Sequence, residues 1–97
     1  MTSANPTEPS GTARPRLPRG VRLKHDEVRQ EWLLLAPERA LKTDAIAVEI
    51  IKRCTGERTV DEIVDELARV YAADRARIDA DVRALLSSLA SKRLLDL

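Results

Sequence analysis

The chain has 97 residues, of which 17 are Lys or Arg and 16 are Asp or Glu, so its net charge is +1. This length accommodates one small domain, and a near-neutral charge lacks the basic footprint that gives proteins non-specific affinity for nucleic acids. No stretch has the length of a membrane span or the apolar core of a secretory signal, so we predict a cytoplasmic protein with no membrane partner.

The N-terminal residues are predicted to form a tail outside the domain. Residues 1–20 contain four of the five prolines and two of the three glycines, together with several Ser and Thr. A segment of this composition buries too little apolar area to offset the entropy of ordering it. We therefore assign a disordered Pro-rich tail to residues 1–16 and the domain to residues 17–97.

Three short strands are predicted at the start of the domain. Residues 17–24 end in an alternation of apolar and cationic side chains, and residues 32–36 are a dense apolar run of strand length. Pro37 and Glu38 fit the central positions of a type I turn, because proline has the φ that the first position needs. Residues 39–43 then return as a third strand, which is short and carries a lysine, as sheet edges do.

Three amphipathic helices are predicted after the strands. Asp44 is the expected N-cap of the first, whose apolar residues recur at helical spacing to Cys54. Thr59 and Glu62 have the spacing of a capping box at the start of the second, and Asp74 is the expected N-cap of the third. The apolar stripes of the last two helices are Val60, Ile63, Val64, Leu67, Ala68 and Tyr71, and Ile78, Val82, Leu85, Leu86 and Leu89. The predicted fold class is α+β and winged-helix-like, a small three-stranded antiparallel sheet followed by a three-helix bundle.

The sequence shows no pattern of catalytic or metal-binding residues. Cys54 is the only cysteine and His25 the only histidine, so a disulfide, a cysteine metal cluster and a recognisable catalytic triad are all missing. The three glycines are isolated from one another and form no phosphate-binding loop. We therefore predict no enzyme activity, no catalytic or metal-binding residue and no cofactor.

Two binding functions remain. A winged-helix DNA-binding module would place the third helix in the major groove, but the charges of that helix alternate in sign: Asp74, Arg75, Arg77, Asp79, Asp81 and Arg83. The competing interpretation is a peptide-binding module, in which the free edge of the third strand takes an extended peptide as an added strand and the third helix forms the wall beside it. Peptide binding is our prediction, and DNA binding is the alternative.

Several segments together carry a family resemblance. Residues 17–23, 34–39 and 49–63, then Tyr71 and the apolar pattern of the last helix, resemble PqqD, the pyrroloquinoline quinone (PQQ) biosynthesis protein D. The resemblance extends over residues 16–95. This chain departs from the usual pattern at Asp44, where asparagine is frequent, and at Arg93, where glycine is frequent.

The resemblance implies a precursor-peptide recognition element. Proteins similar to PqqD bind the ribosomal peptide PqqA and present it to the radical S-adenosylmethionine (SAM) enzyme PqqE, which cross-links a Glu and a Tyr of the peptide. The chemistry therefore belongs to the partner, and a monomer or weak homodimer is expected. Carried over to this sequence, the implied peptide-binding residues of the third strand and third helix are Arg39, Ala40, Leu41, Lys42, Thr43, Arg75, Asp79, Val82, Arg83 and Leu86.

Overall fold

The computed structural model describes residues 9–97, so the first eight residues of the predicted tail (residues 1–16) lie outside the described residues. Three strands come first, namely β1 (Arg22–Asp26), β2 (Glu31–Ala36) and β3 (Arg39–Thr43); three helices follow, namely α1 (Ala45–Lys52), α2 (Val60–Val70) and α3 (Arg75–Ser91). The strands form one antiparallel sheet in the order β1-β2-β3. The predicted fold class is therefore confirmed. Within the described residues, none of the helices combines the length and the apolarity that crossing a bilayer requires.

The first strand begins later than the sequence predicts. The Val21 N–H donates to the Pro18 carbonyl at 3.1 Å, and Gly20 has a φ of 86°, so residues 18–21 form a turn. β1 starts after this turn and continues to Asp26, whose Oδ1 accepts hydrogen bonds from the next turn, at Val28 N and Arg29 N. An Asp side chain bonded in this way is a common means of ending a strand in a turn.

The turn between β2 and β3 differs in type from the prediction. Its two residues are Pro37 and Glu38, as expected, because Ala36 and Arg39 are directly paired across the hairpin. Glu38, however, has a φ of 62°. A type I turn needs a negative φ at its second central position, whereas a type II turn needs a positive one after a proline. A positive φ at Glu38, directly after a proline, thus indicates a type II turn.

The helices pack on the inner face of the sheet through one apolar core. Leu34 of β2 is 1% exposed, and the core residues of α2 and α3 are between 0 and 6% exposed. The largest fully buried side chains belong to the sheet, all three helices and the C-terminal segment: Leu34, Ile50, Ile51, Ile63, Leu67, Leu86 and Leu94. Tyr71, which the sequence places on the apolar stripe of α2, is 41% exposed at the C-cap of that helix.

Two of the three predicted helix caps are formed. Asp44 accepts a hydrogen bond from Ala47 N at 2.7 Å, and Thr59 and Glu62 form the reciprocal capping box at the start of α2. α3 does begin after Asp74, but the Asp74 side chain accepts no capping hydrogen bond. The sequence therefore identifies where α3 begins but not how its first N–H groups are satisfied.

The N-terminal residues that the structure describes do not match the predicted disordered tail. Residues 9–16, here called the N-terminal strap, lie across the start of α2: the Gly11 and Ala13 carbonyls accept hydrogen bonds from Asp61 N and Val60 N at 3.0 and 2.9 Å. Pro9 and Pro15 are buried. A composition rich in proline is compatible with order here because Pro has no N–H, and the strap binds mainly through its carbonyl groups.

The strap completes the hydrogen bonding of the α2 N-terminus. A helix leaves its first four N–H groups without a partner inside the helix. Thr59 N donates to Glu62 Oε1 and Glu62 N to Thr59 Oγ1, while the two N–H groups between them are those that donate to the strap. At its C-terminal end the strap also pairs with the end of the chain, through two hydrogen bonds of 2.9 Å between the backbones of Arg16 and Asp96.

α3 ends in a Schellman motif whose left-handed residue is Arg93. Leu94 N donates to the Leu89 carbonyl and Arg93 N to the Ala90 carbonyl, and Arg93 has a φ of 61°. Glycine is the usual residue at this position because it has no Cβ to strain a positive φ. The frequency of glycine here in the resembling family thus has a structural reason.

We expect Arg93→Gly to raise the free energy of unfolding by about 0.5–1 kcal/mol, because it removes the strain of a left-handed non-glycine residue. Ser91→Gly is the control, since Ser91 is helical and glycine there adds backbone entropy to the unfolded chain. Urea denaturation measures both variants. Equal destabilisation by the two glycines would contradict this explanation.

Candidate functional site

The outer edge of β3 is open. β3 pairs with β2 on one side, and no other strand within residues 9–97 pairs with its opposite side. Hydrogen-bonded and non-hydrogen-bonded pairs alternate along an antiparallel ladder, and the residues that flank a two-residue turn form a hydrogen-bonded pair. Since that pair is Ala36 and Arg39, the backbone groups of Ala40 and Lys42 face the open edge. Each of these two residues offers one N–H and one C=O to an added strand.

A groove lies beside this edge, between β3, the start of α1 and one face of α3. It consists of two adjoining cavities of about 190 and 320 Å³. Asp44, Ala47 and Leu85 line both cavities, so the two are direct neighbours. We call this feature the β3–α3 groove. Its α3 wall is formed by Asp81, Ala84, Leu85, Ser88, Leu89 and Lys92.

The five site residues predicted on β3 all lie beside the groove. Leu41 and Thr43 face inward and are half-buried, whereas Arg39, Ala40 and Lys42 are exposed. Arg39 Nη2 donates to the carbonyl of Lys92 at 2.9 Å, which ties the first residue of β3 to the C-cap of α3. The groove therefore runs along α3 with β3 antiparallel to it.

The five site residues predicted on α3 do not line the groove. Val82 and Leu86 are 0% exposed and belong to the core. Arg75, Asp79 and Arg83 lie on the side of α3 that faces α2: Arg75 Nε is 2.5 Å from Asp65 Oδ1, and Arg83 Nε is 2.9 Å from Asp79 Oδ1. The predicted face of α3 is thus rotated away from the open edge.

The same ion pairs bear on the DNA-binding alternative. Arg75 lies within 3.9 Å and Arg83 within 3.4 Å of Asp61 on α2, in addition to their closer carboxylate partners. Arg83 also donates to the Pro9 carbonyl in the N-terminal strap. Arginines held by carboxylates and by the fold do not form the basic outer face that binding to phosphates requires.

Sequence reasoning missed the α3 wall of the groove, although a signal for it exists. Asp81, Leu85, Ser88 and Lys92 recur at intervals of four, three and four residues, which is the spacing of one helical face. This face adjoins the apolar stripe, and Leu85 lies at their boundary because it is only half-buried. The spacing alone shows that these residues share one face of α3, but it does not show which element of the fold lies opposite that face.

Cys54 and His25 both pack against other residues of the fold. Cys54 is 3% exposed, its Sγ donates to the Ile50 carbonyl, and burial raises the pKa of its thiol to about 12. His25 packs against Trp32, with 4.9 Å between the ring centroids, and the Lys52 ammonium lies 5.0 Å from the Trp32 ring centroid. Within residues 9–97, no three His, Cys, Asp or Glu side chains are grouped so that they could hold a metal ion.

An ion-pair network joins α1 to α2 away from the groove. Glu66 accepts hydrogen bonds from Arg53 Nε at 2.8 Å and from Arg58 Nε at 3.0 Å. The hydrogen bond from Arg53 and the charges of both arginines hold the pKa of the Glu66 carboxyl below its ordinary value of 4.5. The Glu66 carboxyl therefore binds its proton less tightly in the folded state than in the unfolded chain.

We expect the Glu66 network to stabilise the fold above pH 4.5, the ordinary pKa of a glutamate carboxyl. This stabilisation should be lost as the pH falls through the lower pKa that the Glu66 carboxyl has in the folded state. Glu66→Gln should then be less stable than the parent at neutral pH, and the difference should shrink on acidification. Urea denaturation across the acidic range measures this. Asp81→Asn is the control, because no ion pair involving Asp81 is found among the described residues. A constant difference between Glu66→Gln and the parent at all pH values would be inconsistent with the network.

Comparison with known proteins finds structures of the same architecture and identifies the family to which this chain is similar. The family model described as Coenzyme PQQ synthesis protein D (PqqD) matches residues 31–95. A PqqA binding protein of Rhodopseudomonas palustris strain BisB5 is 53% identical over 98% of this chain and 92% of its own length. The solution structure of the PqqD truncation of Methylobacterium extorquens PqqCD, described as a functional and stand-alone recognition element for ribosomally synthesised and post-translationally modified peptides (RiPPs), has a TM-score of 0.82 and 49% identity, and the match covers 95% of this chain and 98% of that one.

A more distant structure contains a bound peptide. TbiB1 in complex with the TbiA(β) leader peptide has a TM-score of 0.71 and 28% identity, and the match covers 84% of this chain and 94% of that chain. The fold that this chain shares with the first of these structures is that of a RiPP recognition element. Within this class, the chain belongs to the PqqD family.

Proposed function

We propose that this protein is a peptide chaperone that binds the precursor peptide PqqA as an added strand on β3 and presents it to the radical SAM enzyme PqqE. The observation that carries the proposal is the open edge of β3 beside the β3–α3 groove. Backbone groups of Ala40 and Lys42 would hold the peptide, and the groove side chains would select its sequence. The names of its relatives as PqqA binding proteins support the choice of peptide.

The peptide-binding residues proposed on β3 are those predicted from the sequence, Arg39, Ala40, Leu41, Lys42 and Thr43. On α3 we replace the predicted set by the groove wall, Asp81, Ala84, Leu85, Ser88, Leu89 and Lys92. An extended peptide on the β3 edge would lie against this wall, because Arg39 and Lys92 are in contact at one end of the groove.

We assign the chemistry to the enzyme partner and none to this chain. Holding the peptide near the enzyme raises its effective concentration and orients the reacting segment. These effects require the peptide and the enzyme to bind at the same time, on different surfaces of this domain. Because the substrate is a ribosomal product, we place this function in the cytoplasm, and we expect a monomer or weak homodimer.

The proposal is tested by following formation of the Glu–Tyr cross-link in PqqA by mass spectrometry, with PqqE and with or without this protein. The yield is expected to rise when the protein is present, and size-exclusion chromatography should show a complex of all three components. Val28→Ser, at the exposed tip of the first hairpin, serves as the surface control. Full cross-linking without this protein, or competition between PqqA and PqqE for it, would contradict presentation.

A further inference from the structure

The two ends of the β3–α3 groove carry opposite charges. Arg39 and Lys92 lie together at one end, where the Arg39 guanidinium donates to the Lys92 carbonyl. Asp81 and Asp44 line the cavity beside α1, toward the other end, and Asp44 also lines the cavity beside β3. We call these pairs the cationic end and the anionic end.

The charges at both ends are not balanced by an opposite charge in the described part of the fold. Among residues 9–97, none of the four side chains is in an ion pair. Lys92 Nζ makes one hydrogen bond, to Ser88 Oγ, and Asp44 Oδ1 accepts one from Ala47 N. On the opposite side of α3, by contrast, Arg75 and Arg83 are bound to carboxylates. The charges at the two ends of the groove therefore remain available to an oppositely charged ligand.

Apolar side chains line the groove between its two ends, beside the polar side chains of Lys42, Thr43 and Ser88. Leu41 of β3 and Leu85 of α3 are half-buried there, and Ile46 of α1 is 42% exposed in the cavity beside the anionic end. An apolar peptide side chain entering between the two charged ends would cover these surfaces. The groove therefore has apolar surface between two ends of opposite charge.

The length of the groove sets a spacing for the peptide. Asp81 and Lys92 are eleven residues apart along α3 and its C-cap, which corresponds to about 16 Å at the α-helical rise. An extended strand covers that distance in about five residues. Because alternate side chains of a strand point to the same face, the two peptide residues that meet the two ends should be about four or six positions apart.

Building on the proposed function, we propose that the groove selects an extended peptide with an acidic side chain at the cationic end, an apolar side chain in the middle and a basic side chain at the anionic end. This arrangement would fix both the register and the direction of the added strand. Arg39, Lys92, Asp44 and Asp81 are then specificity-determining residues. In this arrangement the backbone edge of β3 binds a peptide of any sequence, and the charged ends of the groove determine which sequence binds more tightly.

The test measures PqqA affinity by calorimetry for Lys92→Glu and Asp81→Lys, with Arg77→Glu and Asp74→Lys as matched charge reversals outside the groove. Both groove variants should bind PqqA about fivefold to tenfold more weakly, whereas the controls should bind as the parent does. Single charge reversals in PqqA are then paired with each variant. One peptide reversal should restore binding to Lys92→Glu and a different one to Asp81→Lys, about four or six positions away.

The outcomes separate this inference from the proposed function. Unchanged affinity in both groove variants, or restoration of both by the same peptide reversal, would overturn the charge-ordered groove while leaving strand addition intact. Weakening by the control reversals to the same extent would also overturn it, because the effect would then follow net charge. Failure of the parent to bind PqqA would instead refute the proposed function itself.

Discussion

Lys42→Pro is expected to weaken PqqA binding by about tenfold to a hundredfold while the fold is retained. Proline removes the Lys42 N–H, one of two such groups that face the open edge of β3, and its ring obstructs an incoming strand. Each lost hydrogen bond costs about 1 kcal/mol, and the steric obstruction adds to it. The β2–β3 ladder keeps its hydrogen bonds, because the backbone groups of Lys42 face away from β2. Calorimetry measures the affinity, and circular dichroism checks the helices.

Lys42→Ala is the matched control for the proline variant. It retains the backbone N–H and removes the ion pair with Glu31, which is 3.3 Å long and mostly solvent-exposed on the lysine side. Exposed ion pairs contribute little to stability, and the backbone groups proposed to bind the peptide are retained, so affinity should change by less than about threefold. If Lys42→Pro were folded and bound PqqA as the parent does, strand addition on β3 would be excluded.

Deletion of residues 1–14 is expected to lower the free energy of unfolding by about 2–4 kcal/mol. The deletion removes the Gly11 and Ala13 carbonyls that accept the Asp61 and Val60 N–H groups, at about 1 kcal/mol for each lost hydrogen bond. It uncovers apolar surface as well, because Val60 is 0% exposed with the strap in place and Ala13 packs against the core. It also removes the Pro9 carbonyl that binds Arg83. For a domain of this size the melting temperature should fall by about 10–20 °C.

Deletion of residues 1–8 is the control, because it leaves every strap contact among residues 9–97 in place. Gly11→Ala is a milder version of the same test: a Cβ on Gly11 would lie 2.5 Å from Asp61 Oδ2, so the carboxylate has to move. Asp61→Ala in the same chain should remove most of that cost, and the double-mutant cycle reports the coupling. Equal melting temperatures for the 1–14 and 1–8 deletions would show that the strap does not stabilise the fold.

Local signals in the sequence predicted most of the fold. Asp44, Thr59 and Glu62 act on N–H groups within three residues of themselves, so their spacing alone predicts where α1 and α2 begin. β3 was predicted with its observed ends because a two-residue turn sets the register of a hairpin. Asp74 is the exception, since a residue with capping chemistry stands at the right position without forming the cap.

The N-terminal strap could not be predicted from local composition. Its order depends on donors about fifty residues away, at Val60 and Asp61, which are available only once α2 has formed. A high content of proline and glycine indicates disorder when a segment has to form the hydrogen bonds of its backbone within itself. It does not exclude order when a folded helix offers N–H groups to the carbonyls of the segment.

The face of α3 that meets β3 also depends on long-range packing. Leu85 and Leu86 are neighbours in the sequence, yet Leu86 is 0% exposed in the core and Leu85 is half-buried in the groove. The helical period predicts that the two residues point in different directions, but not which direction faces the sheet. The resemblance to PqqD implied a site between β3 and α3, and only the packing of the helices on the sheet shows that Asp81 and Lys92 line the groove there.

Amide hydrogen exchange on the labelled protein, with and without PqqA, tests strand addition on β3 most directly. We predict that PqqA slows exchange at Ala40 and Lys42, whose N–H groups face the open edge. Leu41 and Thr43 should change little, because their N–H groups already bind β2. By the same alternation, Leu23 and His25 face the other open edge, that of β1, and should stay unprotected. Protection of Leu23 and His25 with no change at Ala40 and Lys42 would contradict the assignment of the peptide to β3.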